Sequence, residues 1–312
     1  MQTNDGKDRR AIAVMGAGAV GCYFGGMLAR AGAHVTLIGR PQHVDAMNRN
    51  GLLLESKQVQ GFVPVSASTD VAAIRDAQLV LLCVKTLDTE SAATALAPHL
   101  ADGALVLSFQ NGVDNVDRIH AATGVDAVPA VVYVGAEMAA PGHVKHTARG
   151  DLVIGNLLKR RASDLPRLAE LFVNAGVPCR ISDNIEGELW TKLAMNCAYN
   201  PISALTRSRY GRIVGNSMTR ELLRRTTEEI IAVANAAGVR LSVSNLLDAV
   251  YALGAGMLDT LSSTAQDLER GKRTEIDSLN GYVVRRGAEL GIDTPVNQTL
   301  HALIKVLEEA VS

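Results

Sequence analysis

Residues 11–21 read AIAVMGAGAVG, and the fold turns on them. AIAVMG is a short apolar run that stops at a glycine, the pattern of a buried strand. From Gly16 the chain spells G-x-G-x-x-G, and residues 19–31 continue with helical spacing. A second strand pattern, HVTLIG at 34–39, follows. Strand, glycine turn, helix and strand form the context in which this motif cradles a dinucleotide. Gly16 permits the tight turn, Gly18 lets the backbone reach a pyrophosphate, and Gly21 lets helix pack on strand. Free N–H groups at the helix start, at Ala19, Val20 and Gly21, then face the phosphates. A glycine-rich turn with no ligand is the alternative.

The same stretch sets a trap. After KDRR, residues Ala11 to Ala29 carry no charge, which resembles a signal peptide or a membrane helix. Gly16, Gly18, Gly21, Gly25 and Gly26 make it a poor apolar span, and their spacing suits the dinucleotide turn better. No other uncharged apolar run is long enough to span a bilayer.

Working outward, LVLLCV (79–84), ALVLSF (104–109) and AVVYVG (130–135) are further buried runs between helical patterns. Such alternation predicts a mainly parallel sheet with helices on both faces. HVKHTA (143–148) and DLVIG (151–155) read as a hairpin, 163–175 as a helix and VPCRIS (177–182) as a last strand. After Asp183 strand patterns vanish. Segments 186–208, 217–238, 243–270, 275–291 and 295–311 show helical periodicity, with Gly211, Gly238, Gly271, Gly291 and Pro295 at their ends. The expectation is an α/β chain: a Rossmann-type, doubly wound domain over 1–183 and an all-helical substrate and catalytic domain over 184–312.

Composition narrows the function classes. With 47% hydrophobic and 20% charged residues the 312-residue chain can bury sizeable cores, as a soluble globular protein does. A net charge of -1 gives no reason to expect a nucleic-acid partner. The basic runs RELLRR (220–225) and KRR (159–161) read as solvated helix faces. Cys22, Cys83, Cys179 and Cys197 lie in apolar segments without a CxxC pair, so reduced thiols and a cytoplasmic setting are expected. His143 and His146 form HxxH with no third ligand nearby, so no metal is expected.

The end of the second strand bears on the cofactor. An NAD site has an acid there to bind the ribose hydroxyls. Between Gly21 and Asp45 this chain has none; it has Gly39 and Arg40. Arginine offers a planar cationic fork to a 2′-phosphate, which favours NADP(H). Lys85, after LVLLCV, is a candidate second phosphate contact, and Asn111 in SFQNGVDN (108–115) falls at the carboxyl edge of the sheet near the expected nicotinamide. Solvated surface cations are the alternative for Arg40 and Lys85.

A ketone reduced by a nicotinamide needs a proton for the oxygen that becomes negative. In ELWTKLAMNCAYNP (188–201), Lys192, Asn196 and Asn200 recur every four residues, along one face of a helix that Pro201 should end. A lysine with a reference pKa of ~10.4 holds a proton to donate. The alternative is a lysine that snorkels outward, with asparagines that cap or bridge helices. LSSTAQDLERGKRTEID (261–277) adds Ser263 and Glu275, the latter opening a helix after Gly271, where a capping role is the alternative.

Together GAGAVG, Arg40, Lys85, QNG (110–112), ELWTKLAMNCAYNP and SSTAQDLERGKRTEID resemble the ketopantoate reductase (2-dehydropantoate 2-reductase) family, in order over almost the whole chain. The resemblance implies NADPH-dependent reduction of 2-dehydropantoate to pantoate, toward pantothenate and coenzyme A. It implies Lys192 as general acid and Glu275 as the carboxylate that positions substrate and lysine. It implies Ser263 on the substrate carboxylate and Asn111, Asn196 and Asn200 as active-site amides. Arg40 and Lys85 match 2′-phosphate contacts, and Asn111 and Glu275 lie toward the nicotinamide end of the cofactor site. Some members carry asparagines where this chain has Tyr210 and Thr260, so another branched 2-oxo acid is the second reading. A non-catalytic NADP-binding regulator is the third. Members occur as monomers and as homodimers.

Overall fold

The computed structural model describes residues 11–57, 59–157 and 162–311. The KRR run at 159–161 lies outside them. Two units form: residues up to Gln110 with Asp114–Ile185, and Asn111–Val113 with Glu186–Ser312.

In the first unit the chain runs β1 (Ala11–Met15), α1 (Ala19–Arg30), β2 (His34–Ile38), α2 (Pro41–Asn50), β3 (Leu52–Glu55), β4 (Gln60–Val63) and β5 (Ser66–Ser68). It continues with β6 (Leu79–Leu82), α3 (Thr89–Leu96), β7 (Leu105–Ser108), α4 (Asn115–Thr123), β8 (Val128–Ala140), β9 (His143–Gly155), α5 (Leu165–Asn174) and β10 (Cys179–Ser182). Along the sheet the order is β4-β3-β9-β8-β7-β6-β1-β2-β5, with β10 paired to β9. From β5 to β8 every pairing is parallel; β8–β9 and β3–β4 are antiparallel.

The central strands are apolar on consecutive residues because both faces are covered. Ile12, Val14, Leu79, Leu81 and Leu107 pack on one face with Phe24 and Leu28 of α1 and Leu168 and Phe172 of α5. Ala13, Val80, Leu82 and Val106 turn to the other, against Ala92 and Leu96 of α3 and Val116 and Ile119 of α4. β1 lies between β2 and β6, so the chain reverses its direction of travel across the sheet at β1. In open α/β sheets ligands bind at the carboxyl ends of strands at such a reversal.

The hairpin expected within 143–155 is one continuous strand, β9, whose antiparallel partner is β8. The ARGD stretch looks like a turn but is a bulge. Arg149 and Gly150 have φ of 55° and 124°, and the register jumps from Tyr133↔Asp151 to Val134↔Arg149, leaving Gly150 as the extra residue. The reversal comes earlier, between Ala140 and His143, where Gly142 has φ of 69°. β3, β4 and β5, of three or four residues each, gave no strand signal.

The second unit contains α6 (Ile185–Thr206), α7 (Tyr210–Gly215), α8 (Ser217–Ala236), α9 (Leu246–Gly256), α10 (Ser263–Glu269), α11 (Asn280–Leu290) and α12 (Pro295–Val311). Two expected helices are divided. Segment 243–270 becomes α9 and α10, because Ser262 caps a new helix by accepting from Ala265 N at 3.1 Å. Segment 275–291 starts as a 3₁₀ turn, Ile276–Ser278, and becomes α-helical only at Asn280. Conversely, α6 runs through Pro201 to Thr206. Proline has no N–H for the carbonyl four residues back, Cys197. The buried Asn280 amide donates to that carbonyl at 3.1 Å instead.

Among the described residues no helix is long and apolar enough to cross a membrane. Nor do three or more His, Cys, Asp or Glu gather to hold a metal ion; His143 instead donates to Glu55 at 2.9 Å. Burial pushes all four thiols up from their ordinary pKa, Cys22 to about 12.

Candidate active site

The glycine turn lies where the chain reverses across the sheet, and its three glycines do different things. Gly16 has φ of 111°, and a Cβ there would stand 2.8 Å from Cys83 C and Val84 N, backbone just beyond β6. Its N–H and that of Ala17 both donate to Ile38 O, at 3.0 and 2.8 Å, tying the turn to the end of β2. At Gly21 a Cβ would be 2.2 Å from Gly16 O and 2.8 Å from Val14 Cγ1. These two glycines serve the fold. Gly18 is exposed, with φ of -89° that any residue adopts, and a Cβ there would meet nothing within 4 Å. The fold makes no demand for glycine at that position. A ligand phosphate that needs the backbone bare would.

Ala19, Val20 and Gly21 form the first turn of α1, which has no side-chain cap and no acidic residue. This is the arrangement a pyrophosphate fits. Gly39 packs against the turn, since a Cβ on it would lie 2.6 Å from Ala17 Cβ. Arg40 follows at the N-cap of α2 with its side chain exposed. Lys85 is half-buried three residues beyond β6 and precedes a 3₁₀ turn, Thr86–Asp88. Gly16 to Gly21, Arg40 and Lys85 are residues that could hold a dinucleotide.

The remaining candidates lie in the second unit. Lys192 and Asn196 are half-buried on α6 and Asn200, one turn on, is 1% exposed. Asn200 Nδ2 donates to Ser263 Oγ at 3.4 Å, and Tyr210 Oη donates to Asn200 Oδ1 at 3.3 Å. Ser262 Oγ donates to the Asn200 carbonyl at 3.2 Å. Asn111, three residues past the carboxyl end of β7, groups with this unit, and its Nδ2 donates to Glu275 Oε2 at 2.8 Å. Glu275 is 7% exposed and makes no side-chain cap at the turn it precedes. Its capping alternative therefore falls. The bridging alternative holds in part, since Asn200 links α6 to α7 and α10.

The structure thus pairs Asn111 with Glu275 and Asn200 with Ser263, and sets Lys192 and Asn196 on the face of α6 that carries Asn200. The sequence singled out Tyr210 as a departure that bears on the substrate, but not its bond to Asn200; the ring is buried and packs tilted on Tyr199 with centroids 4.4 Å apart. Burial raises the phenol's pKa, so it stays a donor.

A sequence model described as "Ketopantoate reductase PanE/ApbA" matches residues 12–159, and one described as "Ketopantoate reductase PanE/ApbA C terminal" matches 184–308. A 2-dehydropantoate 2-reductase of Pyrococcus abyssi is 34% identical over 295 residues, 94% of this chain and 96% of that protein. The crystal structure of a PanE/ApbA family ketopantoate reductase from Ralstonia eutropha superposes with a TM-score of 0.91 at 51% identity, covering 96% of this chain and 99% of the other. A 2-dehydropantoate 2-reductase structure from Geobacter metallireducens gives 0.89 at 29%, covering 95% and 99%. Two consecutive family matches and such a relative, identical at a third of positions over nearly its whole length, leave one assignment: the chain belongs to the ketopantoate reductase family.

Proposed function

We propose that the chain reduces 2-dehydropantoate to pantoate with NADPH, in the biosynthesis of pantothenate. The observation that carries the reading is the buried Glu275 carboxylate bonded to Asn111, 164 residues away in sequence, in the unit whose α6 bears Lys192. A buried acid with a specific amide partner, on a turn it does not cap, suits a role toward a ligand.

Bound NADPH supplies the hydride that converts C=O to CH–OH. The chain supplies the rest. Lys192 gives its proton to the carbonyl oxygen and, while protonated, stabilises the developing charge. Glu275 keeps that lysine charged and orients it, while Asn111 fixes the carboxylate. Ser263, steadied by Asn200, donates to the substrate carboxylate, and Asn196 shares the face from which Lys192 acts. Arg40 and Lys85 engage the 2′-phosphate, and the N–H groups of Ala19, Val20 and Gly21 take the pyrophosphate. A cytoplasmic setting goes with four free thiols, of which Cys22 and Cys197 are buried, and the chain acts as a monomer or a homodimer.

A reductase of another branched 2-oxo acid is the second reading, favoured by Tyr210 standing against Asn200 where some members have asparagine. Loss of the nicotinamide absorbance, followed with 2-dehydropantoate and a panel of 2-oxo acids, decides between them. The expected outcome is the highest kcat/KM with 2-dehydropantoate and a clear preference for NADPH over NADH. A better 2-oxo acid in the panel moves the substrate, equal use of both cofactors removes the role of Arg40, and no turnover with any acid leaves an NADP-binding regulator.

A further inference from the structure

Glu275 lies in the segment Thr274–Asp277, and both sides of it are bonded to α12. Thr274 donates twice to Glu308 Oε1, from its N–H and from Oγ1, each at 2.6 Å. Asp277 accepts from His301 Nε2 at 2.7 Å through one oxygen and from Lys305 Nζ at 2.9 Å through the other. Lys305 also donates to Glu308 Oε2 at 2.8 Å, so the two anchors are joined. His301, Lys305 and Glu308 are spaced four and three apart, along one face of the helix. Between the anchors, Ile276 is fully buried against Ile304 of α12, Ala265 and Ala204. Three of the four residues are thus tied down, and only Glu275 sends its side chain elsewhere, to Asn111.

Glu308 is 6% exposed, and a buried carboxylate is costly unless its lone pairs are used. Burial pushes it up, yet the hydrogen bonds from Lys305 and Thr274 outweigh that and hold it below its usual range. The same balance, with His301 and Lys305 as donors, keeps Asp277 ionised. So charged an anchor is more than a short turn at the end of a helix needs. It is what a turn needs when one carboxylate on it must be held to a fraction of an ångström.

We propose that Glu308, with Lys305 and His301, is the positioning device of Glu275: α12 fixes the 274–277 backbone from both sides so that the carboxylate is aimed before substrate arrives. The proposal rests on the role given to Glu275 above.

Two measurements on the full chain test it. In Glu308→Ala, hydrogen exchange at the Thr274 and Ile276 amides speeds up, and kcat/KM for the 2-oxo acid falls roughly 10- to 100-fold, as misplacement of a reacting group by about 1 Å does. NADPH affinity stays as in wild type. In a Glu275→Gln background the same substitution costs no further activity, because there is no carboxylate left to aim. Where Glu308→Ala does not fold, Thr274→Val removes one of the two donors at nearly constant shape and gives the same pattern, smaller. Equal losses in both backgrounds, or unchanged exchange at Thr274 and Ile276, overturn the proposal. Should Glu275→Gln retain full turnover, the catalytic reading fails, and the exchange measurement alone then decides whether α12 holds the turn.

Discussion

The turn at 16–21 and the turn at 274–277 each hold a short piece of backbone ready for a ligand, and they do so by opposite means. At 16–21 side chains are removed: the backbones of Gly16 and Gly21 lie where a Cβ would collide, and Gly18 is left bare toward solvent. At 274–277 side chains are added: a carboxylate, an ammonium and an imidazole from α12 hold the residues flanking Glu275. A turn that presents N–H groups to a pyrophosphate must let the ligand close, so bulk is its enemy. A turn that presents one carboxylate must resist wobble, so partners are its need.

The largest effect that would break this comparison concerns Lys192, the acid proposed for the reaction. In Lys192→Ala, turnover should fall by about 10²–10⁴-fold, the usual contribution of a positioned acid. NADPH affinity should barely change, since the candidate phosphate contacts, Gly16 to Gly21, Arg40 and Lys85, lie in the other unit. Lys192→Arg should not restore turnover, because arginine scarcely releases its proton. Steady-state kinetics with a separate cofactor titration reads both quantities. Near-normal turnover in a folded, NADPH-binding Lys192→Ala protein would return Lys192 to a solvated helix face.

The means of restraint also explain what the sequence could disclose. A glycine announces its constraint at its own position, so the close packing at Gly16 and Gly21 was readable in one motif. The restraint on Glu275 comes from His301, Lys305 and Glu308, and on a lone sequence their spacing is indistinguishable from a solvated charged face. The mainly parallel sheet with helices on both faces was readable in outline from alternating apolar runs. The bulge at Arg149–Gly150 was not, because glycine after a positive-φ residue is also the signature of a turn. Likewise Pro201 reads as a helix stop, and only Asn280, distant in sequence, reveals why α6 continues.

A smaller effect separates the glycines from one another. Gly21→Ala must force apart the Gly16 carbonyl and Val14, so thermal unfolding should show a loss of about 1–3 kcal/mol, as overpacking does. Gly18→Ala meets no protein atom, so unfolding should be unchanged while NADPH affinity falls by about tenfold or more, the same strain now borne by the complex. If Gly18→Ala binds NADPH normally, the turn does not approach a pyrophosphate, and the contrast between bare and braced turns is lost.

The smallest expected effect tests whether bracing extends to the substrate side of the second region. Tyr210→Phe keeps the ring packed on Tyr199 and removes only the hydroxyl that donates to Asn200 Oδ1. That amide oxygen is buried, so its lost donor is not simply replaced by water. The bond, however, is 3.3 Å long, past the usual O–H···O range, so its loss should cost only about 0.5–1 kcal/mol. With the carbonyl no longer fixed, the Asn200 amide is freer to rotate away from Ser263, and the hydroxyl proposed to meet the substrate carboxylate loses its support. KM for the 2-oxo acid should rise by roughly two- to fivefold, with kcat and NADPH affinity nearly unchanged, because the proton donor and the cofactor contacts are elsewhere. A fall in kcat at constant KM would mean that Tyr210 acts toward Lys192 rather than toward Ser263, and that the bracing on this side serves the proton and not the anion.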